Sequence, residues 1–399
     1  MIKKLARLTC VAWLFIVLLW AKPSHAYPWM VQHQYTGCAL CHMDPSGGYL
    51  LTAYGRAQTQ ALLSSFGKGK EGDEVDSRSN FGFGLMAPND YVTLGASVRE
   101  AYFSTNASAP SRSMLMQADF RTALTLGPVV VTGSIGYLQN GQHAAQITKG
   151  NRDVLVSREF WLGLHLGEDN STMIRVGRMY LPFGIRFVEH RYYVRLDTGT
   201  NIDFQQQMGA AFFHETEKYR MEVMGIAGNY QIAPDDYRQR GYAGYLEYSL
   251  QPGMQLGLSS MVTYSKLDPI ALKNSAFNGA HGPMFRWSPI DHVAILSELD
   301  LTHFSATQTL TQYGVVGIAQ VDWEMVRGLH TMVTGEIYHP AQLDDPQGHH
   351  FNNRDWFTLA WFLYPHIDLR SDTYWATEWA PPARRTNSWA SLWILHVSL

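Results

Sequence analysis

Residues 114–126 read Met114-Leu115-Met116-Gln117-Ala118-Asp119-Phe120-Arg121-Thr122-Ala123-Leu124-Thr125-Leu126. Met114, Met116, Ala118, Phe120, Thr122, Leu124 and Leu126 alternate with Leu115, Gln117, Asp119, Arg121, Ala123 and Thr125. One set is mostly apolar and the other carries the charges. A period of two places the sets on opposite faces of an extended strand, and a helix would scatter both. Residues 91–98 repeat the pattern, with Val92, Leu94, Ala96 and Val98 against Thr93 and Ser97.

Outward from this stretch, alternating segments of about ten residues recur to the C-terminus. The connections between them alternate in length. Short ones fall at Gly127-Pro128, Gly167 to Asn170, Glu215 to Lys218, Gln251 to Gly253, Ser288 to Asp291, Arg327 to Leu329 and Tyr364 to His366. Long ones fall near 105–113, 140–152, 181–206, 229–240, 266–280, 340–354 and 379–386. Short turns at one mouth and long loops at the other predict an all-β, antiparallel outer-membrane barrel of about sixteen strands, over residues 78–399. Trp361, Tyr364, Trp375, Trp379, Trp389 and Trp393 crowd the last strands, as aromatic girdles require.

The composition agrees. Charged residues make up only 16% of the chain and aromatics 13%, yet mean hydropathy is −0.17. Past the N-terminus there is no run of the ~18 apolar residues that a membrane helix needs. Strands need none, because only alternate residues face lipid. The net charge of −3 gives no footprint for nucleic acid.

The first 26 residues read as a secretory signal, with Lys3, Lys4 and Arg7, an apolar Val11 to Trp20, and a small-x-small site at Ser24-His25-Ala26. Removal would take Cys10 and leave Cys38 and Cys41 in an exported chain. Residues 38–42 read Cys38-Ala39-Leu40-Cys41-His42, the C-x-x-C-H signature of covalent c-type haem attachment. Two thiols three positions apart reach the two vinyl groups of one porphyrin, and the following His ligates the iron. A thioredoxin-like pair would need a βαβ context, and none precedes the motif. One haem c is therefore expected on Cys38 and Cys41, with His42 as its metal ligand.

Asp44-Pro45-Ser46-Gly47-Gly48 is a turn cluster, and Leu51 to Phe66 has the spacing of a short amphipathic helix covering one face of the ring. Arg56 on that helix is a candidate partner for a haem propionate. Met30, His33 and Met86 are candidates for the sixth ligand. Gly67 to Ser79 reads as a linker, so residues 27–77 form a small helical haem segment ahead of the barrel.

This arrangement resembles the outer-membrane fused monohaem cytochrome–porins of iron-oxidising bacteria. The resemblance is carried by Ala26-Tyr27-Pro28 ahead of Cys38-Ala39-Leu40-Cys41-His42, and by Val176-Gly177-Arg178 with Pro182-Phe183-Gly184. Trp29-Met30-Val31-Gln32-His33 stands where that family typically has a Phe-Ala-Arg-like run. The resemblance implies oxidation of an extracellular donor, Fe(II), with electrons passed to a periplasmic carrier such as a soluble c-type cytochrome. A passive porin with a haem-bearing plug is the competing expectation.

A barrel of about sixteen strands has an interior of roughly 22 Å after side chains. A compact segment of about 50 residues is ~25 Å across, so the haem segment is expected to plug the lumen. For metal ions outside, the 340–354 loop offers Asp344, Asp345, His349 and His350. In the 181–206 loop, Glu189, His190, Arg191 and Arg195 cluster as a plug contact or a constriction.

Overall fold

A computed structural model describes residues 28–35, 37–48, 50–66, 77–106, 110–137, 155–167, 171–187, 189–201, 205–230, 232, 234–268, 272–341, 351–380 and 384–399. The signal and the 344–350 loop residues lie outside the described residues.

The strands are β1 (Val92–Thr105), β2 (Arg112–Leu126), β3 (Val129–Tyr137), β4 (Leu155–Val156), β5 (Phe160–Leu166), β6 (Thr172–Met179), β7 (Gln207–Glu215), β8 (Tyr219–Gly228) and β9 (Arg240–Gln251), then β10 (Met254–Leu267), β11 (Asn274–Ile290), β12 (Val293–Ser305), β13 (Gln312–Val326), β14 (Leu329–His339), β15 (Asn352–Tyr364), β16 (Ile367–Ala380) and β17 (Arg384–Ser398). β4 and β5 both pair with β3 and are pieces of one strand, so the seventeen segments make sixteen strands. Every neighbour is antiparallel, and β1 pairs with β17 from Ser97↔Ser398 to Thr105↔Ala390. The barrel is closed and leaves no strand edge, the condition for spanning hydrocarbon with sheet.

The period of two does what the sequence expects. Phe120, Leu124 and Leu126 are exposed on the outer wall, while Gln117, Asp119, Arg121 and Ala123 are buried in the lumen. Leu258, Leu299, Leu301 and Val333 continue the outer apolar band. Trp323 and Trp361 rim it near the short turns, and Tyr313, Trp375 and Trp389 near the long loops. A closed antiparallel barrel with this band is the outer-membrane form, and the chain is an outer-membrane barrel protein.

Two sequence expectations change. A register shift between Arg99 and Glu100 leaves Met116 of β2 as an extra, bulged residue opposite β1. It turns Met114 and Met116 away from the face of Phe120, and they pack against Ala101, Leu392 and Ile394. The 266–280 connection is shorter than expected because β11 begins at Asn274, and a further connection at 306–311 joins β12 to β13.

The segment before the barrel sits inside it. It comprises a 3-10 helix (Pro28–His33), an α-helix (Ala53–Gln58) and a π turn (Thr59–Leu63). The helix is thus shorter than the expected 51–66. Trp29, Met30, Val31, Cys41 and Leu63 are buried in one cluster with inward residues of the wall such as Met284, Leu296 and Trp356. The contacts are at the short-turn mouth. His33 Nε2 lies 3.0 Å from Glu324 Oε2, Ser65 N donates to the Phe362 carbonyl at 2.9 Å, and Arg327 Nη2 donates to the Gln60 carbonyl at 3.0 Å. Gly328, at φ +79°, is required there twice over. It turns the chain from β13 to β14, and a Cβ on it would meet the Leu63 carbonyl oxygen at 1.9 Å.

Candidate functional site

The C-x-x-C-H stretch is a single tight turn. Cys41 N and His42 N both donate to the Cys38 carbonyl, at 3.1 and 2.9 Å. The chain then loops back, with Met43 N donating to the Leu50 carbonyl and Thr52 N to the Cys41 carbonyl, each at 2.9 Å. Thr52 caps the following helix by accepting from Gly55 N at 3.0 Å. The helix crosses directly over Cys41, and a Cβ at Gly55 would lie 2.3 Å from the Cys41 carbonyl oxygen.

Cys38 and Cys41 are both free thiols, the first half-buried and the second buried. Burial pushes the Cys41 thiol up to about 12, with the neighbouring Cys38 adding to it. The His42 ring is buried and donates from Nδ1 to the Gly48 carbonyl. Nε2 is then the nitrogen that carries the lone pair, as in metal-binding histidines whose second nitrogen is tied to a carbonyl. Burial lowers its proton affinity, to about 4, and keeps the ring neutral.

Long-range charge pairs hold this loop. Arg175 Nη1 on β6 donates to Asp44 Oδ1 at 2.8 Å, and its other arm pairs with Glu222 on β8. Arg220 Nη1 on β8 donates to Cys38 Sγ at 3.1 Å. All but Cys38 are nearly or fully buried, so losing one member of the Arg175 trio would strand a charge at a cost of several kcal/mol.

The long 180–206 connection folds inward over the plug and forms a roof. Tyr180, Phe183, Ile185, Phe187, Tyr192 and Val194 on it are buried. Ile185 N donates to Glu298 Oε2 at 2.6 Å, Tyr193 N to Glu336 Oε1 at 2.5 Å, and Gln320 Nε2 to Tyr192 Oη at 3.0 Å. Arg195 pairs with Glu298. Arg186 Nε reaches down to the Ser46 carbonyl at 3.0 Å, so roof and plug touch. Of the loop cluster expected from sequence, Glu189 and Arg191 form a forked ion pair at 2.7 and 2.8 Å. His190 lies beside it, its Nδ1 3.8 Å from Glu189 Oε1.

Between plug and roof lies a cavity whose empty space, open solvent included, is about 2030 Å³. Cys38, His42, Arg56, Arg186, His190 and Tyr245 are among its lining residues. Cys38 and His42 supply it a thiol and an imidazole, two of the three groups a C-x-x-C-H haem site uses, while Cys41 is buried in the plug cluster and does not line it; apolar Leu50, Ile185 and Met284 line it, and arginines ring it. The buried Tyr245 Oη, on the same wall, has no hydrogen-bond partner among the described residues and is ready to receive one from a bound group. Three buried carboxylates each serve two arginines: Asp119 with Arg121 and Arg158, Glu247 with Arg220 and Arg286, and Asp372 with Arg370 and Arg191. Arg121 and Arg191 are shared further with Glu159 and Glu189, and Arg175 serves two carboxylates; the lining itself carries more arginines than carboxylates, which suits an anionic ligand.

Arg56 donates to the Leu94 carbonyl of β1 and lines the cavity on the β1 side, away from Arg220 and Cys38. The three sequence candidates for the sixth ligand are not among the lining residues. Met30 is packed in the plug, His33 is held by Glu324, and Met86 lies between the plug and β1. Sequence reasoning missed Asp44, Arg175, Arg220 and Tyr245. The alternation of β8 marks Arg220, Glu222 and Met224 as one inward face, but nothing local says what they meet.

No family model matches the chain, and no curated protein does. Solved structures do. OmpT of Vibrio cholerae superimposes with a TM-score of 0.56 at 7% identity, over 78% of this chain and 99% of that one. An anion-selective porin from Comamonas acidovorans gives 0.55 at 12%, over 77% and 99%. The outer-membrane channel DcaP of Acinetobacter baumannii gives 0.53 at 11%, over 77% and 97%. The fold is that of the outer-membrane porins.

Proposed function

We propose that this protein is a transmembrane electron conduit. It takes electrons from an extracellular donor such as Fe(II), carries one haem c on Cys38, Cys41 and His42, and passes electrons to a periplasmic carrier such as a soluble c-type cytochrome. The observation that carries this reading is the position of the C-x-x-C-H turn inside the lumen, facing a cavity roofed by the 180–206 segment.

A bound haem supplies a one-electron couple, so each Fe(II) outside that becomes Fe(III) accounts for one carrier reduced inside. The chain's own residues make the crossing possible. The plug brings the site off the periplasmic surface into an apolar band that is otherwise roughly 25 Å thick. The buried Asp44–Arg175–Glu222 trio fixes the haem turn to β6 and β8. The roof narrows the lumen above the cavity, and the arginines around it would pair with the propionates. Arg56, on the β1 side of the cavity, would be one of them.

The porin fold of the neighbours favours a second reading, a solute channel whose plug bears a haem. Reconstitution in liposomes separates the two. An oxidised c-type cytochrome is trapped on the short-turn side, and Fe(II) is added on the long-loop side. The conduit reading expects reduction of the trapped protein only when Cys38, Cys41 and His42 are intact. Equal reduction through a His42→Ala barrel means that iron diffuses through a pore, and the channel reading stands.

A further inference from the structure

We propose that Arg178, at the root of the roof, holds a small monovalent anion such as chloride, and that this ion ties the two ends of the roof together. Neither the thiols nor a haem take part in this site, so it stands apart from the conduit reading.

Among the described residues six arginines are buried: Arg121, Arg158, Arg175, Arg178, Arg195 and Arg286. Five of them meet a carboxylate. Arg121 and Arg158 share Asp119, Arg175 lies between Asp44 and Glu222, Arg195 meets Glu298, and Arg286 meets Glu247. Arg178 is only 2% exposed and has two amide oxygens instead. Its Nη1 donates to Asn229 Oδ1 at 3.3 Å and its Nη2 to Gln206 Oε1 at 3.4 Å, both long for bonds from a charged donor. Its Nε is buried with no partner among the described residues.

A guanidinium keeps its proton where a buried lysine or histidine would shed one, so Arg178 carries its charge into the interior. Buried charges are paired in folded proteins, because water otherwise solvates them far better. The neighbours do not supply the pair. Arg158 stands close enough to oppose the charge of Arg178. Asp119 is taken by Arg121 and Arg158, and Glu159 lies 3.9 Å from Arg121. Three arginines against two carboxylates leave one positive charge over. One monovalent anion balances it, whereas a divalent one would bury a negative charge in turn.

The position of the site gives the ion a task. Arg178 is the last residue but one of β6, Gln206 is the residue before β7, and Asn229 is the residue after β8. The chain entering the roof, the chain leaving it and the start of the next long connection therefore meet at one guanidinium.

To test this, the full-length protein in detergent is titrated with chloride at constant ionic strength, gluconate making up the balance, and chlorine magnetic resonance line widths report bound ion. Wild type should show saturable broadening, and Arg178→Gln should lose it. Limited trypsin digestion reads the roof, which offers Arg186, Arg191 and Arg195. In wild type, cleavage there should be about fivefold slower in chloride than in gluconate, and in Arg178→Gln it should be fast in both. Heat-dependent gel mobility reports folding. If Arg178→Gln does not fold, Arg178→Lys, which keeps the charge and loses the fork, should bind chloride about tenfold more weakly than wild type. Saturable broadening that is equal in wild type and variant, or absent from wild type, overturns the anion site. Roof cleavage in wild type that is indifferent to chloride overturns the tie between ion and roof. Neither result bears on covalent haem, which staining reads separately.

Discussion

At the scale of single residues, the two cysteines are made unequal by their surroundings. Gly55 lets the Ala53–Gln58 helix lie on the Cys41 carbonyl, and Cys41 is buried in one cluster with Trp29, Val31 and Leu63, while Cys38 stays half-exposed beside Arg220. A thiol reacts as its thiolate, and a pKa raised to about 12 leaves almost none of it at pH 8. In protein produced without haem, iodoacetamide at pH 8 should therefore modify Cys38 at least tenfold faster than Cys41, as read by peptide mass spectrometry. Raising the pH toward 12 should narrow the gap, since the buried thiol ionises last. Equal rates at pH 8 would mean that the turn is not held as described.

At the scale of the element, a strand such as β12 carries two chemistries on one backbone. Leu299 and Leu301 look out to lipid, while Glu298, Asp300 and Thr302 look in. The outward side has no polar partner to offer, so an arginine at mid-strand costs about 2–4 kcal/mol. Leu299→Arg, at the centre of β12, should lower unfolding free energy in lipid vesicles by that amount relative to Leu299→Ala, in a urea titration. A loss below about 1 kcal/mol would place that face away from hydrocarbon. The inward side tolerates charge because it is paired, as Glu298 is with Arg195 of the roof.

At the scale of the whole molecule, the lumen is obstructed twice, by the plug at the short-turn mouth and by the roof above it. Single-channel recording in planar bilayers should therefore give a conductance far below that of an unobstructed barrel of sixteen strands. Moderate urea should raise it before the barrel itself unfolds. The plug is held mainly by side-chain contacts and a few backbone hydrogen bonds, whereas the wall is held by a continuous hydrogen-bonded ladder that closes on itself. A large, steady conductance in the absence of urea would show that plug and roof leave a through-path, and would favour the channel reading.

The sequence by itself determined the barrel and supplied the expectation for the C-x-x-C-H turn, because both signals are local. Lipid asks only that alternate residues be apolar, so residues 114–126 announce a wall strand without reference to any partner. A thioether pair and its histidine need only the spacing of 38, 41 and 42. Even here one bulge, at Met116 opposite Arg99 and Glu100, was enough to turn Met114 and Met116 to the other face, since a one-residue shift inverts a period of two. The tertiary structure alone decided what faces what across the lumen. Inward residues are polar and apolar by turns, and the pairs that build the site lie far apart in the chain: Arg175 with Asp44, Arg220 with Cys38, Arg186 with Ser46. Which charges meet depends on which strands closure sets opposite each other and on how deep the roof folds in. That is why Arg56 could be picked from its helix, while Tyr245 and the place of His190 above the cavity could not.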